Sequence, residues 1–158
     1  MKLARVSCRL ARLTSISLFA GLIGFAARAS AGDVDALYQA AGEGNTQQVN
    51  ALLNSGVKVN ERTSDGSYAL NNAAVENQVE VLKILLARGA DPNVQNSQGD
   101  TPLICATKYA GGKATTVRLL VEAGTDLGVR DNKGKTALDY AKAKAQQEAI
   151  TFMEGAGN

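Results

Sequence analysis

Apolar positions in this chain recur on two scales. Over short stretches the spacing is helical: Val79, Leu82, Leu85 and Leu86 fall on one helix face, and Ala36, Leu37, Ala40 and Ala41 do the same with smaller side chains. The second set returns 33 residues later as Ala69, Leu70, Ala73 and Ala74. Small residues at those places let neighbouring helices approach closely. The pattern predicts paired helices, an inner one rich in Ala and an outer one rich in Leu.

Two separate marks keep the same long period. Gly66-Ser67-Tyr68-Ala69-Leu70 recurs as Gly99-Asp100-Thr101-Pro102-Leu103 and again as Gly134-Lys135-Thr136-Ala137-Leu138, at spacings of 33 and 35 residues. Downstream, Leu52-Leu53, Leu85-Leu86 and Leu120-Val121 each lead to a glycine, Gly56, Gly89 and Gly124, placed to end the outer helix in the left-handed conformation. No single unit can bury its own apolar face, so stacking must supply the core. The fold class predicted is all-α: a solenoid of about four helix-turn-helix units, roughly 33–62, 63–95, 96–130 and 131–156, joined by short hairpin-like loops.

These marks resemble the ankyrin repeat. Gly99 to Leu103 reads G-D-T-P-L, Gly89-Ala90-Asp91-Pro92-Asn93 matches the family's end-of-repeat signature, and Thr136 to Ala141 resembles a terminal-repeat variant. The resemblance covers about Asp33 to Glu154. It implies a rigid array that binds proteins through its hairpin tips and the exposed side of its inner helices. Family members commonly carry His after the Thr-Pro-Leu, bonding between units; here Asn71, Ile104 and Asp139 stand there. Asn and Asp can replace that bond in part and Ile cannot, so weaker cohesion is expected around the third unit. Tyr68 replaces the usual Thr. The end units differ as caps should: the first has no Thr-Pro-Leu motif, and the last is expected to replace an apolar outer helix with Lys142, Lys144, Gln146, Gln147 and Glu148, leaving Ala149, Ile150, Phe152 and Met153 to pack.

Charge separates the N-terminus from the rest. Residues 1–31 hold five bases and no acid, and the remainder has twelve bases against fifteen acids, with no basic nucleic-acid footprint. The positive leader is followed by an uncharged run, Leu13 to Ala27, and by small residues at Ala27-Arg28-Ala29 and Ala29-Ser30-Ala31. This is the arrangement of a cleaved secretory signal peptide over residues 1–31. Fifteen residues fall short of the roughly 20 that span a bilayer. The cut is expected after Ala31, with the junction after Ala29 as the alternative. A Sec-type signal of this style implies the periplasm, or secretion beyond it, with no membrane insertion after cleavage. Removing the leader discards Cys8 and leaves Cys105 as the only thiol.

Histidine is absent, which removes imidazole acid–base chemistry, His-activated nucleophiles and imidazole metal sites. No catalytic, cofactor or metal site is expected. Gly134-Lys135-Thr136 ends like a phosphate loop, but Val129 stands where the leading glycine belongs, and the repeat register explains the triplet better.

Carrying the resemblance over residue by residue gives the partner-binding candidates Asp65, Ser67, Gln98, Asp100, Lys133 and Lys135 on the tips. Glu76, Lys108 and Tyr109 are the candidates on the helices. The third unit has two extra residues near Ala110-Gly111-Gly112-Lys113, between its helices, which widens that loop beside Tyr109. Tyr109 is the best single candidate, because Tyr gives large contact area at low entropic cost. Tyr38, Tyr68 and Tyr140 are expected near helix starts, facing the stack.

The expected function is non-catalytic protein binding by a monomer in the bacterial cell envelope. The resemblance extends to small periplasmic ankyrin proteins implicated in peroxide tolerance. Alternatives are thiol redox chemistry through Cys105 and an immunity-type inhibitor of a secreted toxin. Cys105 itself reads as a small packed residue.

Overall fold

The computed structural model describes residues 30–157. Of the expected export segment, all but Ser30 and Ala31 lies outside the described residues, Cys8 included. Among the described residues there are eight helices and no strand: α1 (Ala31–Glu43), α2 (Thr46–Asn54), α3 (Ala69–Val75), α4 (Val79–Ala87), α5 (Pro102–Lys108), α6 (Ala114–Glu122), α7 (Ala137–Ala143) and α8 (Gln147–Ala156). They form the four predicted pairs. An inner row packs α1 on α3, α3 on α5 and α5 on α7, while an outer row packs α2, α4, α6 and α8 in the same succession. None of these helices is long and apolar enough to cross a membrane.

Local chemistry starts and stops the helices. Thr101 Oγ1 accepts the Ile104 N–H at 3.2 Å. Thr136 and Asp139 form a reciprocal capping box, with the Asp139 carboxylate accepting the Thr136 N–H at 2.9 Å. Tyr68 offers no such oxygen, so α3 begins without a side-chain cap. The outer helices end as predicted: the glycines at 56, 89 and 124 have φ of 102°, 83° and 85°. The next N–H returns to Leu52, Leu85 or Leu120 in each case, at 3.0–3.3 Å.

The core is a continuous stripe. Leu37, Ala40 and Ala41, then Leu70, Ala73 and Ala74, then Leu103 and Ala106, then Ala137 and Ala141 are buried between inner helices, and Val49, Leu82, Leu85, Val117 and Leu120 back them from the outer row. In the last unit Ala149, Ile150 and Met153 are buried and Phe152 is half-buried. One expectation shifts here. Lys142 lies in α7 and Lys144 caps it, so neither belongs to the outer helix. At the other end α1 begins at Ala31, inside the segment expected to be removed, with the Ser30 N–H donating to the Asp33 carboxylate at 2.8 Å.

Polar side chains tie unit to unit. Asn60 receives the Asp91 N–H at 2.8 Å and donates to the Gly89 carbonyl at 3.0 Å; Asn93 repeats this with Asp126 and Gly124 one unit on. Gln78 and Gln146, each just ahead of an outer helix, donate back to the Gly42 and Thr107 carbonyls at 2.9 Å. At the three positions where His is usual, the outcomes differ. Asn71 bridges to the Asp100 carbonyl at 2.9 Å, Ile104 is simply buried, and the Asp139 carboxylate is occupied by its own helix cap.

A candidate protein-binding face

The three hairpins are built alike. Thr63 N–H bonds the Ser67 carbonyl at 2.9 Å, Asn96 N–H the Asp100 carbonyl at 3.1 Å and Asp131 N–H the Lys135 carbonyl at 3.0 Å. Neighbouring hairpins are joined through Ser97 N–H to Gly66 and Asn132 N–H to Gln98, at 3.1 and 3.0 Å. This ladder fixes the row of tips and leaves Asp65, Gln98, Lys133 and Lys135 exposed, with Ser67 half-buried. Glu76 is exposed at the end of α3. The G-K-T triplet is the third hairpin running into the α7 cap, as its register requires.

Two predicted contact residues are not on this surface. Asp100 has 0% of its surface exposed, although its register partners Ser67 and Lys135 face outward more. Its carboxylate turns under the hairpin, where both oxygens accept from Lys108 Nζ at 2.9 Å. Lys108 also reaches Asp131 at 3.5 Å, and its side chain is largely covered. Asp131 in turn accepts the Tyr140 hydroxyl at 2.6 Å and the N–H groups of Lys133 and Lys135 at 2.9 and 3.0 Å. Asp100, Lys108, Asp131 and Tyr140 therefore form an internal staple between units three and four. Burial opposes the Lys108 charge, but its bonds to Asp100 and the neighbouring Tyr109 outweigh that and push its pKa up. Burial likewise opposes the Asp131 charge, and the Tyr140 bond with the two backbone N–H groups outweighs it, holding Asp131 at about 2.

Tyr109 is where it was expected. It is 49% exposed, the one large apolar side chain among the described residues to stand out this far. The wide loop after α5 starts with it, and Gly111 and Gly112 at φ of 75° and 60° turn the chain sharply away. Its hydroxyl donates to Gln98 Oε1 at 2.8 Å, which fixes the ring over the tip row.

The inner-helix side of the hairpin row also holds residues missed as contacts, Tyr38, Asn71, Asn72 and Asn96. A cleft of about 320 Å³ is lined by Tyr38, Ser67, Asn71, Asn72, Val75, Asn96, Gln98, Cys105 and Tyr109. Tyr38 lies past the middle of α1, not at a helix start, and only half-buried. Carrying the 33-residue register one unit back from Asn71 lands on Tyr38, so the signal is present in the sequence.

Cys105 is 1% exposed, and burial pushes its thiol up to about 12. Burial and the raised thiol both work against the exposed thiolate that nucleophilic chemistry needs. It packs, and the Asn71 amide nitrogen lies 3.5 Å from its sulfur.

Four stacked helix pairs with a hairpin-tip row and an inner-helix cleft define a helical-repeat binding scaffold. The family model for ankyrin repeats (three copies per model) matches residues 15–96 and 70–155, and the chain belongs to the ankyrin-repeat family. Similar proteins include the inactive serine/threonine-protein kinase TEX14 of Bos taurus, 30% identical over 118 residues, covering 75% of this chain and 8% of that protein. A putative ankyrin repeat protein of fowlpox virus, FPV031, is 33% identical over 68% of this chain and 33% of its own length. A putative ankyrin repeat-containing protein of Treponema pallidum is 36% identical over 63% of this chain and 33% of its own. The chain thus spans a third or less of the length of these relatives. Ankyrin repeats are protein-interaction modules, and the family is generally non-catalytic.

Proposed function

We propose that this protein is an exported, monomeric binding module of the bacterial cell envelope that captures a partner protein on its concave face. The carrying observation is Tyr109, an aromatic side chain half exposed on a rigid scaffold and held in one orientation by Gln98. Such a group contributes contact area with little ordering cost on association. Tyr38, Ser67, Val75, Gln98 and Lys133 share its clefts, and this reading assigns Asp65, Glu76 and Lys135 as further contacts. Four units suffice for the roughly 800 Å² per partner of a standard interface.

Export is supported by the charged leader, the apolar run and the small-residue junctions. Of the two junctions, the cut after Ala29 keeps Ser30 and its bond to Asp33, while the cut after Ala31 removes that cap and the first helical residue. The mature chain in this reading starts at Ser30.

In-cell crosslinking, capture and mass spectrometry test the proposal, with N-terminal mapping of the captured protein. A partner retained by the native chain and lost on Tyr109→Ala with Lys133→Ala supports it, as does an N-terminus at Ser30. A partner indifferent to both substitutions, or a chain retaining residues 1–29, overturns the corresponding half. The captured partner also separates a stress role from inhibition of a toxin.

A further inference from the structure

We propose that the cleft between Tyr38 and Tyr109 is the receptor for an arginine side chain of the protein partner. This rests on the protein-binding reading of the concave face and adds the chemistry of one contact within it.

The cleft asks for a hydrogen-bond donor. Asn71 is 3% exposed, and its Nδ2 is directed to the Asp100 carbonyl at 2.9 Å with the Cys105 sulfur on the same side. That leaves Oδ1, a buried acceptor in a cleft-lining residue, without a donor. Turning the amide over would set two oxygens against each other at Asp100, so the orientation is fixed by the bond it makes. A buried acceptor left unpaired costs about 1–3 kcal/mol, and a ligand N–H that reaches the covered Oδ1 by a small shift of the cleft wall removes that cost.

The cleft also asks for positive charge. Units one and two carry eight acids and four bases from Ser30 to Gln95, whereas the two later units are close to neutral. Burial first and then the Asp65 carboxylate raise the Tyr38 pKa, with Glu76 a smaller contributor, so both acids act on that ring. Asp35 and Asp65 line the adjoining depression with Tyr38. Of the nearby bases, Arg62 is bonded to the Gly66 carbonyl at 3.0 Å, and Lys108 is bonded to Asp100 with its ammonium 5.2 Å from the Tyr109 ring centroid, leaving the other face of that ring for a ligand.

Two tyrosines from units one and three, with Val75 of unit two between them, supply the remaining requirement. A guanidinium is flat, stacks on aromatic rings, and presents several N–H donors in a fixed fork. A lysine ammonium is a strongly hydrated point charge that gains less from aromatic walls. A neutral donor meets the Asn71 demand and leaves the acidic field unanswered. The volume suits one long side chain and is small for a larger ligand.

The test is an NMR titration of the isotope-labelled protein with three capped tripeptides, glycine flanking arginine, lysine or citrulline. Citrulline keeps the shape and most donors of arginine and lacks its charge. Expected are saturable shifts at Tyr38, Tyr109 and the Asn71 side-chain amide with the arginine peptide. Its affinity should be millimolar, and roughly tenfold weaker for citrulline and for lysine. Asp65→Asn with Glu76→Gln, both exposed changes checked by an unaltered melting curve, should weaken the arginine peptide about fivefold. Equal binding of arginine and citrulline or of arginine and lysine, shifts confined to Lys133 and Lys135, or no shifts at all overturns the proposal. Partner capture that survives such a result leaves the binding-module reading standing and removes only the arginine contact.

Discussion

Asp100 and Lys108 face each other eight residues apart, with both carboxylate oxygens 2.9 Å from the ammonium and the acid fully buried. The pair sits where the usual bridging His is replaced by Ile104. A second carboxylate, Asp131 of unit four, lies 3.5 Å from the same ammonium. The junction with the weakest motif is therefore crossed by a covered ion cluster, and Lys144 adds a bond from unit four to the Lys108 carbonyl.

Removing the lysine leaves two buried carboxylates with no cation between them. Lys108→Met should lower stability by about 3 kcal/mol, more than a surface lysine change by far. Urea unfolding followed by circular dichroism measures it, with Lys83→Met, an exposed residue paired only with Glu80, as the control expected to fall within about 0.5 kcal/mol of native. Equal effects of the two changes would show that the cluster contributes nothing.

The same cluster sets a pH dependence at both ends. The Asp131 pKa is depressed in the folded chain, from 3.8 to about 2, so its contribution is complete above pH 3.8 and disappears as pH falls toward 2. Lys108 and Tyr140 are raised from 10.5 and 10.0. For Lys108 burial works against the shift and the Asp100 bond prevails; for Tyr140 the bond to Asp131 leads. Their contributions are complete below about pH 10 and decline above it. Urea midpoints should be flat between pH 5 and 9 and drop on either side, by an amount equivalent to about 1–2 kcal/mol on the acid limb from Asp131. Asp131→Asn should flatten the part of the acid limb between pH 4 and 2.

How much of this is readable from the chain alone follows from where each interaction lives. The helix pairs, the left-handed glycines and the exposed Tyr109 depend on residues within one period, and periodicity reports them directly. Register alone misplaces Asp100, because it predicts where a backbone position lies, and Ser67 and Lys135 at the same place do face outward more. Which way a carboxylate turns depends on the cation available, and Lys108 occupies the position of Val75 in the unit before. Tyr38 is misplaced for the opposite reason: its neighbours look like a helix start, and only the 33-residue shift aligns it with Asn71. Glycines kept for contact rather than conformation leave no mark in the pattern at all.

Gly42 is one of these. In a helix, Ala in place of Gly is ordinarily favourable by up to about 1 kcal/mol. Here a Cβ would lie 2.3 Å from Asn72 Nδ2, which donates to the Tyr38 carbonyl at 2.8 Å. Accommodating it breaks that inter-unit bond, so Gly42→Ala should destabilise by about 1–2 kcal/mol. In an Asn72→Ala background the obstruction is gone and the same change should stabilise slightly. A double-mutant cycle by urea unfolding reads the sign reversal directly. Additive effects would mean that Asn72 moves aside without cost.

Ala145 marks the opposite case, a side chain where the backbone favours none. The residue closing the short link between inner and outer helix is Gly44 in unit one at φ 74°, Asn77 in unit two at 56° and Ala145 in unit four at 53°. Asn tolerates that region, and Asn77 also accepts the Thr116 hydroxyl at 2.5 Å, tying unit two to unit three. Ala has neither advantage and carries about 1–2 kcal/mol of left-handed strain. Replacing it with Gly relieves that strain while loosening the unfolded chain, a cost of about 0.4–1 kcal/mol. Relief of strain outweighs that loss, so Ala145→Gly should raise stability by about 0.5–1 kcal/mol, and the gain should appear as slower amide exchange in α7 and α8 of the terminal unit. Asn77→Gly should lose stability instead, because the Thr116 bond disappears with the side chain. Both variants moving in the same direction would show that backbone conformation, and not the inter-unit bond, decides at this position.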